Sequence, residues 1–353
     1  MPNTPHFLAD LPAHEIEGKK IFLRVDLNVP IKNGIIMDDF RIAKALPTIE
    51  YLHMHGAKLR IATHLGEDGS ASIEPVRVYL SHHLGDDDLL LPNLRSDPRE
   101  MVNDPQYARE LAGDAELYIN EAFSVSHREH ASVVGIPKLI PGYGGFLFQK
   151  EIEQLSRVFA PVHPMVAVVG GAKFETKIPL LEKFLDLADT VFVSGALCND
   201  FFSAMGYGVG DSLVASPELV KRFVGHPKIR LPIDIITQNR AVKKPNEIES
   251  DERILDVGPE TLSQMGEAAM GASMIVWNGP LGKYEDGFSE ATDAYAEMVA
   301  GSRAFSVLGG GDTLASIKKM NLLDRFGFVS TGGGAMLDFI AKGTLPGIEA
   351  LKR

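Results

Sequence analysis

The sequence predicts an α/β protein, with parallel sheets covered by helices and the chain divided into two domains. Three observations predict this. Short, apolar, β-branched runs recur along the 353 residues. Helical patterns lie between many of them, and strand–helix alternation is how parallel strands are connected. Runs such as Val166–Val169 lack polar alternation, as strands buried on both faces do.

In chain order, Ile21–Val25 reads as a strand and Phe40–His55 as a helix that Pro47 should break or begin. Leu59–Thr63 is a strand, followed by helix at Val76–Leu84. Leu89–Leu91 and Leu117–Ile119 are strands with helix Tyr107–Ala112 between them. Leu147, Ile152, Leu155 and Val158 then give an apolar stripe at roughly helical spacing, which stops at Ala160–Pro164. This helix and its prolines, Phe146–Pro164, are the best domain boundary; an ordinary helix inside one domain is the competing reading. Beyond it, Val166–Val169, Thr190–Val193, Met274–Trp277 and Phe305–Leu308 read as strands. Helices fall at Thr176–Leu187, Glu260–Met270, Glu290–Val299 and Thr313–Lys319.

Composition narrows the function. Apolar residues are 45% and charged residues 23%, which excludes a disordered chain. The net charge is −12, and neither half of the chain is basic. Nucleic-acid binding rests on clustered cations, so no nucleic-acid partner is expected. Residues 1–18 have neither the basic nor the apolar region of a signal peptide. No uncharged stretch is as long as a membrane span, and residues 158–172, one of the two longest, contain Pro161, His163 and Pro164, so no membrane span is expected. With Cys198 as the one cysteine, a cytoplasmic protein is the expectation.

Three glycine clusters carry chemistry. Val166–Val169 runs into Gly170-Gly171-Ala172-Lys173, Phe305–Leu308 into Gly309-Gly310-Gly311-Asp312-Thr313, and Phe328–Thr331 into Gly332-Gly333-Gly334. Ligands of open α/β sheets sit beyond the carboxyl ends of strands. Glycine lets the backbone approach an anion, and free N–H groups at a helix start point at it. With Lys173 and Lys177 a helical turn apart, these loops indicate a phosphate site. The Walker pattern and the G-x-G-x-x-G dinucleotide fingerprint are both absent. The first half has its own set at strand ends: Arg24, Asp26, Asn28, Arg41, His64, Arg95, His127, Arg128 and His130. Arginine forks suit phosphate and carboxylate. His127 and His130 lack a third ligand at zinc spacing, and no hydrolase motif occurs.

Together these segments resemble the phosphoglycerate kinases. RVDLNVP (Arg24–Pro30), DDFRI (Asp38–Ile42), THLG (Thr63–Gly66), HREHAS (His127–Ser132), GGAK (Gly170–Lys173), VWNGPLG (Val276–Gly282), GGGDT (Gly309–Thr313), STGGGA (Ser330–Ala335) and LPGIEAL (Leu345–Leu351) are similar to that family's motifs and stand in its order. The resemblance spans essentially the whole chain. It implies two doubly wound, Rossmann-like domains joined by a helix, with a cleft between them that closes by hinge-bending. Residues 1–145 would hold 3-phosphoglycerate or 1,3-bisphosphoglycerate, 146–163 would connect, 164–336 would hold ATP or ADP with Mg²⁺, and 337–353 would pack back on the first domain. The implied reaction is reversible phosphoryl transfer between the acyl phosphate and ADP, by a monomer.

Residue by residue, the resemblance places Asp26, Asn28, Arg41, His64, Arg95 and Arg128 on the phosphoglycerate. It places Gly171, Lys173, Lys177, Asn278, Gly310, Gly311, Thr313, Gly333 and Gly334 around the nucleotide, Glu285 on its ribose and Asp312 on the magnesium. Arg41 and Lys173 would stabilise the transferring phosphoryl group. Three departures stand out. The family's His-Leu-Gly-Arg becomes His64-Leu-Gly-Glu67, exchanging a cation for an anion. A glycine pair becomes Gly195-Ala196, and the stretch Gln238–Val257 is short. A non-catalytic binding paralogue and a phosphotransferase acting on another acid are the alternatives.

Overall fold

The computed structural model describes residues 4–172, Glu175 and 177–352. The chain forms two compact units, Met1–Glu153 with Gly343–Arg353, and Gln154–Lys342. In the first unit, the elements follow as β1 (Lys20–Val25), a hairpin of β2 (Ile31–Lys32) and β3 (Ile35–Ile36), α1 (Phe40–Met54), β4 (Lys58–Ala62), α2 (Glu74–Leu80), β5 (Leu89–Leu90), α3 (Pro105–Ala112), β6 (Leu117–Glu121), β7 (Gly142–Gly144) and α4 (Phe146–Ser156). Five of these strands pair in parallel in the order β5-β4-β1-β6-β7, with Leu23 level with Ile61 and Ile119. β1 lies in the middle, so successive connections depart from it in opposite directions. That reversal is where an open sheet leaves a crevice beyond its carboxyl edge.

Pro47 neither breaks nor begins α1; it sits inside it. Its ring is exposed, while Ile42, Ala45, Ile49 and Leu52 form a stripe buried against the sheet. The bond lost to the missing N–H falls on the solvent side, and packing of the other face holds the helix together. α2 stops at Leu80, short of the expected Leu84.

The second unit runs β8 (Met165–Val169), α5 (Ile178–Leu187), β9 (Thr190–Val193), α6 (Leu197–Ala204), α7 (Pro217–Val220), β10 (Ile229–Arg230), β11 (Ile235–Thr237), β12 (Val242–Lys243), β13 (Ile254–Val257), α8 (Pro259–Gly271), β14 (Met274–Asn278), α9 (Glu290–Gly301), β15 (Phe305–Gly309), α10 (Gly311–Lys319), β16 (Phe328–Val329) and α11 (Gly334–Lys342). A parallel sheet in the order β10-β9-β8-β14-β15-β16 reverses between β8 and β14. Trp277 of β14 is 1% exposed and meets Tyr295 of α9 edge-on within this core. A second, antiparallel sheet, β12-β11-β13, was not expected. Its strands are too short to show a period. α11 packs Ala335, Met336, Phe339 and Ile340 inward and contacts α5, so it belongs to the second unit. The chain rejoins the first unit at Gly343, later than the Leu337 read from the sequence, and α12 (Pro346–Glu349) docks there as Gly347 N donates to Ser126 O at 2.8 Å.

Candidate functional site

The first unit gathers its predicted ligands beyond the carboxyl ends of β1, β4 and β6. Asp26 follows β1 and is 8% exposed. Its Oδ2 accepts from Arg41 Nη1 at 2.8 Å and from Ser124 Oγ, and its Oδ1 accepts from Asn28 N at 3.0 Å. Burial opposes ionisation there, but Arg41 and these donors hold Asp26 below the usual carboxylate range. Arg41, on the first turn of α1, also donates to Asn28 O at 3.2 Å. Asn28 Oδ1 accepts from Gly66 N at 3.0 Å, and Gly66 O accepts from Arg95 Nη1 at 2.8 Å. Arg41, Asp26, Asn28, Gly66 and Arg95 thus form one continuous chain of contacts.

His64 ends this edge. It is 3% exposed and lies 3.3 Å from Arg24 Nη2 through its Nδ1. Arginine cannot accept, so Nδ1 is the acceptor and the ring proton sits on Nε2. Burial and the adjacent guanidinium push this imidazole down to about 3, so it is a neutral donor at physiological pH. His130 is taken down to about 4 by burial and then by Arg24, Arg95 and Arg128, which brings Arg128 into the same field. Arg128 itself is exposed.

The sequence set Arg24 among the strand-end cations, but it lies inside β1 and is turned into the core. It is 1% exposed in β1, donates to Ser132 Oγ at 2.9 Å and to Val25 O, and Ser132 Oγ donates on to Glu100 at 2.5 Å. The available signal was an arginine in an otherwise apolar strand, which must find partners inside. Glu67, the departure from the family pattern, is exposed. It leaves the chain directly after Gly66, whose N–H and C=O are held by Asn28 and Arg95.

The second unit holds a cavity of about 440 Å³ at the reversal between β8 and β14. Glycines permit its narrow walls. A Cβ on Gly195 (φ +62°) would come 2.6 Å from Gly171 N, and one on Gly170 would strike residues 279–280. Gly171, Gly195, Ala196, Glu285 and Asp312 line the cavity, and the short stretch flagged in the sequence supplies Arg253–Val257 as another wall. Asn278 ends β14 level with Val169 and Gly309. Gly310 (φ +104°) precedes α10, whose first turn carries Gly311, Asp312 and Thr313. Thr313 Oγ1 is buried without a hydrogen-bond partner among the described residues.

Lys177 stands at the N-cap position of α5, which begins at Ile178, so it precedes the helix that the sequence placed it in. Its ammonium donates to Gly170 O, is 8% exposed, and is lowered to about 8 by burial, with Asp312 opposing. Gly333 and Gly334 lead into α11; like Lys177, Asn278, Gly310, Gly311 and Thr313, they are not among the residues that line the cavity itself. Lys173, expected beside Lys177, lies outside the described residues.

Residues 10–88 and 86–342 match the family model described as phosphoglycerate kinase. The chain is 38% identical to the phosphoglycerate kinase of Rubrobacter xylanophilus, covering 96% of each chain, and 35% identical to that of Dictyoglomus turgidum, covering 98% of each. The first of these alignments runs over 377 positions, more than the 353 residues here, so that relative carries segments this chain lacks. Among solved structures, phosphoglycerate kinase from Coxiella burnetii superposes with a TM-score of 0.84 at 36% identity, and that from Pyrococcus horikoshii with 0.84 at 32%, each over 98% of both chains. Fold, ligand-bearing edges and relatedness agree: this chain belongs to the phosphoglycerate kinase family.

Proposed function

We propose that the chain transfers a phosphoryl group reversibly between 1,3-bisphosphoglycerate and ADP, giving 3-phosphoglycerate and ATP. The observation that supports it most is the unbroken sequence of contacts Arg41–Asp26–Asn28–Gly66–Arg95. It fixes two arginines at one sheet edge, with neutral His64 offering a further donor. In the ATP-consuming direction a carboxylate oxygen of 3-phosphoglycerate attacks the γ-phosphorus. The new O–P bond forms as the bond to the β-phosphate oxygen breaks, and ADP leaves. The nucleophile is already ionised, so no general base is required. Alignment and charge neutralisation then supply the catalysis.

In this reading Asp26, Asn28, Arg41, His64, Arg95 and Arg128 hold the phosphoglycerate, and the cavity in the second unit takes the nucleotide. Glu285 holds the ribose; Lys177, the loop at Gly171 and the helix start at Gly310–Thr313 face the phosphates. Arg41 and Lys173 stabilise the group in transit. The donor set fits magnesium: Asp312 is an exposed carboxylate on the cavity wall, and Thr313 offers a hydroxyl with no partner among the described residues. Among the described residues no group of three His, Cys, Asp or Glu side chains is placed to hold a metal ion. A cation at Asp312 would therefore draw its remaining oxygens from phosphates and water. Bound there, it neutralises phosphate charge.

The chain is further read as a cytoplasmic monomer. Among the described residues no helix is long and apolar enough to cross a membrane, and Cys198 is free and buried. A coupled assay with ATP, Mg²⁺ and 3-phosphoglycerate tests the function. Turnover is expected. A protein that binds ADP yet transfers nothing in either direction would overturn the proposal. Glu67 favours one rival, a binding paralogue, which calorimetry would reveal as undetectable affinity for 3-phosphoglycerate.

A further inference from the structure

We propose that Asp256 is a positioning residue of the nucleotide cavity: it anchors residues 279–288 and takes up a proton when a nucleoside diphosphate enters. This rests on reading the cavity as the nucleotide site.

Asp256 lies in β13, lines the cavity and is 4% exposed. Its Oδ1 accepts from Val257 N at 2.9 Å, and its Oδ2 accepts from Ala291 N at 3.3 Å, in the first turn of α9. A Cβ on Gly282 would come 2.5 Å from Oδ1, so the carboxyl lies against bare backbone in the middle of 279–288. That segment carries Glu285 and is clamped on both sides. Lys283 N donates to Leu255 O at 2.7 Å, Leu281 N to Thr292 Oγ1 at 3.0 Å, and Gly195 N to Leu281 O at 2.9 Å. Asp256 therefore joins β13 to the start of α9 and packs against the cavity wall at Gly282.

The surrounding charges explain the proton. From α9, Glu290 and Asp293 face it. Glu290 is paired with Arg240 at 2.5 Å, and Asp293 accepts from Ser289 Oγ and Ser316 Oγ. From the clamped segment, the Lys283 ammonium is engaged by Asp286 at 2.8 Å. From α6 the Cys198 thiol faces it; burial, with Asp200 and Asp256 adding to it, pushes that thiol up and keeps it neutral. Just before its own strand Arg253 is exposed, and β11 opposite offers no charge. Among the described residues no ion pair neutralises Asp256. Burial, with Glu290 and Asp293 adding to it, pushes its carboxyl up to about 7, against the two backbone donors. A nucleotide displaces water from this wall and adds negative charge. Both effects favour the neutral acid further, so binding and protonation are linked.

The test is calorimetry of Mg-ADP with the full chain and with Asp256→Asn, at pH 6 and pH 8. Asparagine keeps the shape and an acceptor but cannot titrate. Titration of ADP itself is common to both proteins and cancels between them. If binding lifts the carboxyl by one unit, wild-type affinity falls about fivefold more between pH 6 and 8 than that of the variant. In buffers of different ionisation heat at pH 7, only the wild type should show the extra proton uptake. Asp256→Ala should raise the KM for ATP at every pH with little change in kcat, because it loosens a binding wall. Equal pH dependence in wild type and Asp256→Asn would overturn the inference. Absence of ADP binding to the wild type at both pH values would instead refute the nucleotide reading.

Discussion

Glu121 gives the sharpest thermodynamic test of the first unit. It closes β6 and is 1% exposed. Its carboxyl accepts from Thr48 Oγ1 of α1 at 2.5 Å and from Leu147 N and Phe148 N, at the start of α4, at 2.9 and 3.3 Å. Burial nevertheless pushes it up to about 7, against an ordinary 4.5. The folded chain thus keeps a proton over a range in which the unfolded chain has lost it. Stability from the neutral acid is fully present below about 4.5 and is lost as pH rises through about 7. At about 1.4 kcal/mol per unit, the loss is on the order of 3 kcal/mol. Glu121→Gln removes the titration while keeping an oxygen for Thr48 and Leu147, at the cost of the long bond from Phe148, about 1 kcal/mol. Urea unfolding at pH 5 and pH 8, followed by circular dichroism with Trp277 fluorescence reporting on the second unit, measures it. The wild type should lose more stability than the variant across that interval. Equal losses in the two proteins would refute the assignment of the proton to Glu121.

Four further outcomes are expected. Arg41→Ala should lower kcat/KM in the transfer assay by a factor on the order of 10² to 10³ with circular dichroism unchanged, since Arg41 is a third exposed and its loss chiefly strips a donor from the reacting group. Glu67→Arg should tighten 3-phosphoglycerate binding several-fold by calorimetry, because the new cation would sit beside Gly66, between Asn28 and Arg95. Gly195→Ala places a Cβ 2.6 Å from Gly171 N at positive φ, and should cost at least about 1–3 kcal/mol in urea unfolding of the second unit and weaken ADP binding. Chelating Mg²⁺ should abolish turnover, and Asp312→Asn should shift the Mg²⁺ dependence of the rate to higher concentration, with the fold unchanged by circular dichroism.

The parallel strands were legible because burial on both faces leaves runs such as Val166–Val169 uniformly apolar. The sheet made by β11, β12 and β13 was not, because two to four residues cannot display a period. Pro47 misled because local propensity was weighed without the stripe packing beneath it. In the site, Asp26, Arg41 and His64 could be placed by motif. The bonds that join Asn28, Gly66 and Arg95 could not, since they run between backbone and side chain across separations of 38 and 29 residues. Arg24, Glu121 and Asp256 share one signature: a charged residue in an apolar strand. Such a residue must be satisfied internally or stay neutral, and each of the three anchors part of a site or of the helix that leaves it.

An acidic chain that binds two polyanions needs cations whose charge is not already cancelled. Away from the site, cations are neutralised in pairs: Lys19 with Glu116, Lys20 with Asp114, Lys58 with Asp87. At the strand ends the pattern differs. Arg95 donates to Gly66 O and Lys177 to Gly170 O, both backbone carbonyls. A carbonyl fixes the position of a cation while leaving its net charge in place, so in the proposed reading an arriving phosphate would meet an oriented partner. Arg41 is the exception, since Asp26 pairs with it at 2.8 Å. That carboxylate is itself held by Ser124 Oγ and Asn28 N, and the pair engages a single guanidinium nitrogen, Nη1. The remaining donors of the Arg41 fork can then be aimed by a fixed anchor rather than by a flexible side chain, which is what a group that must meet a transferring phosphoryl requires.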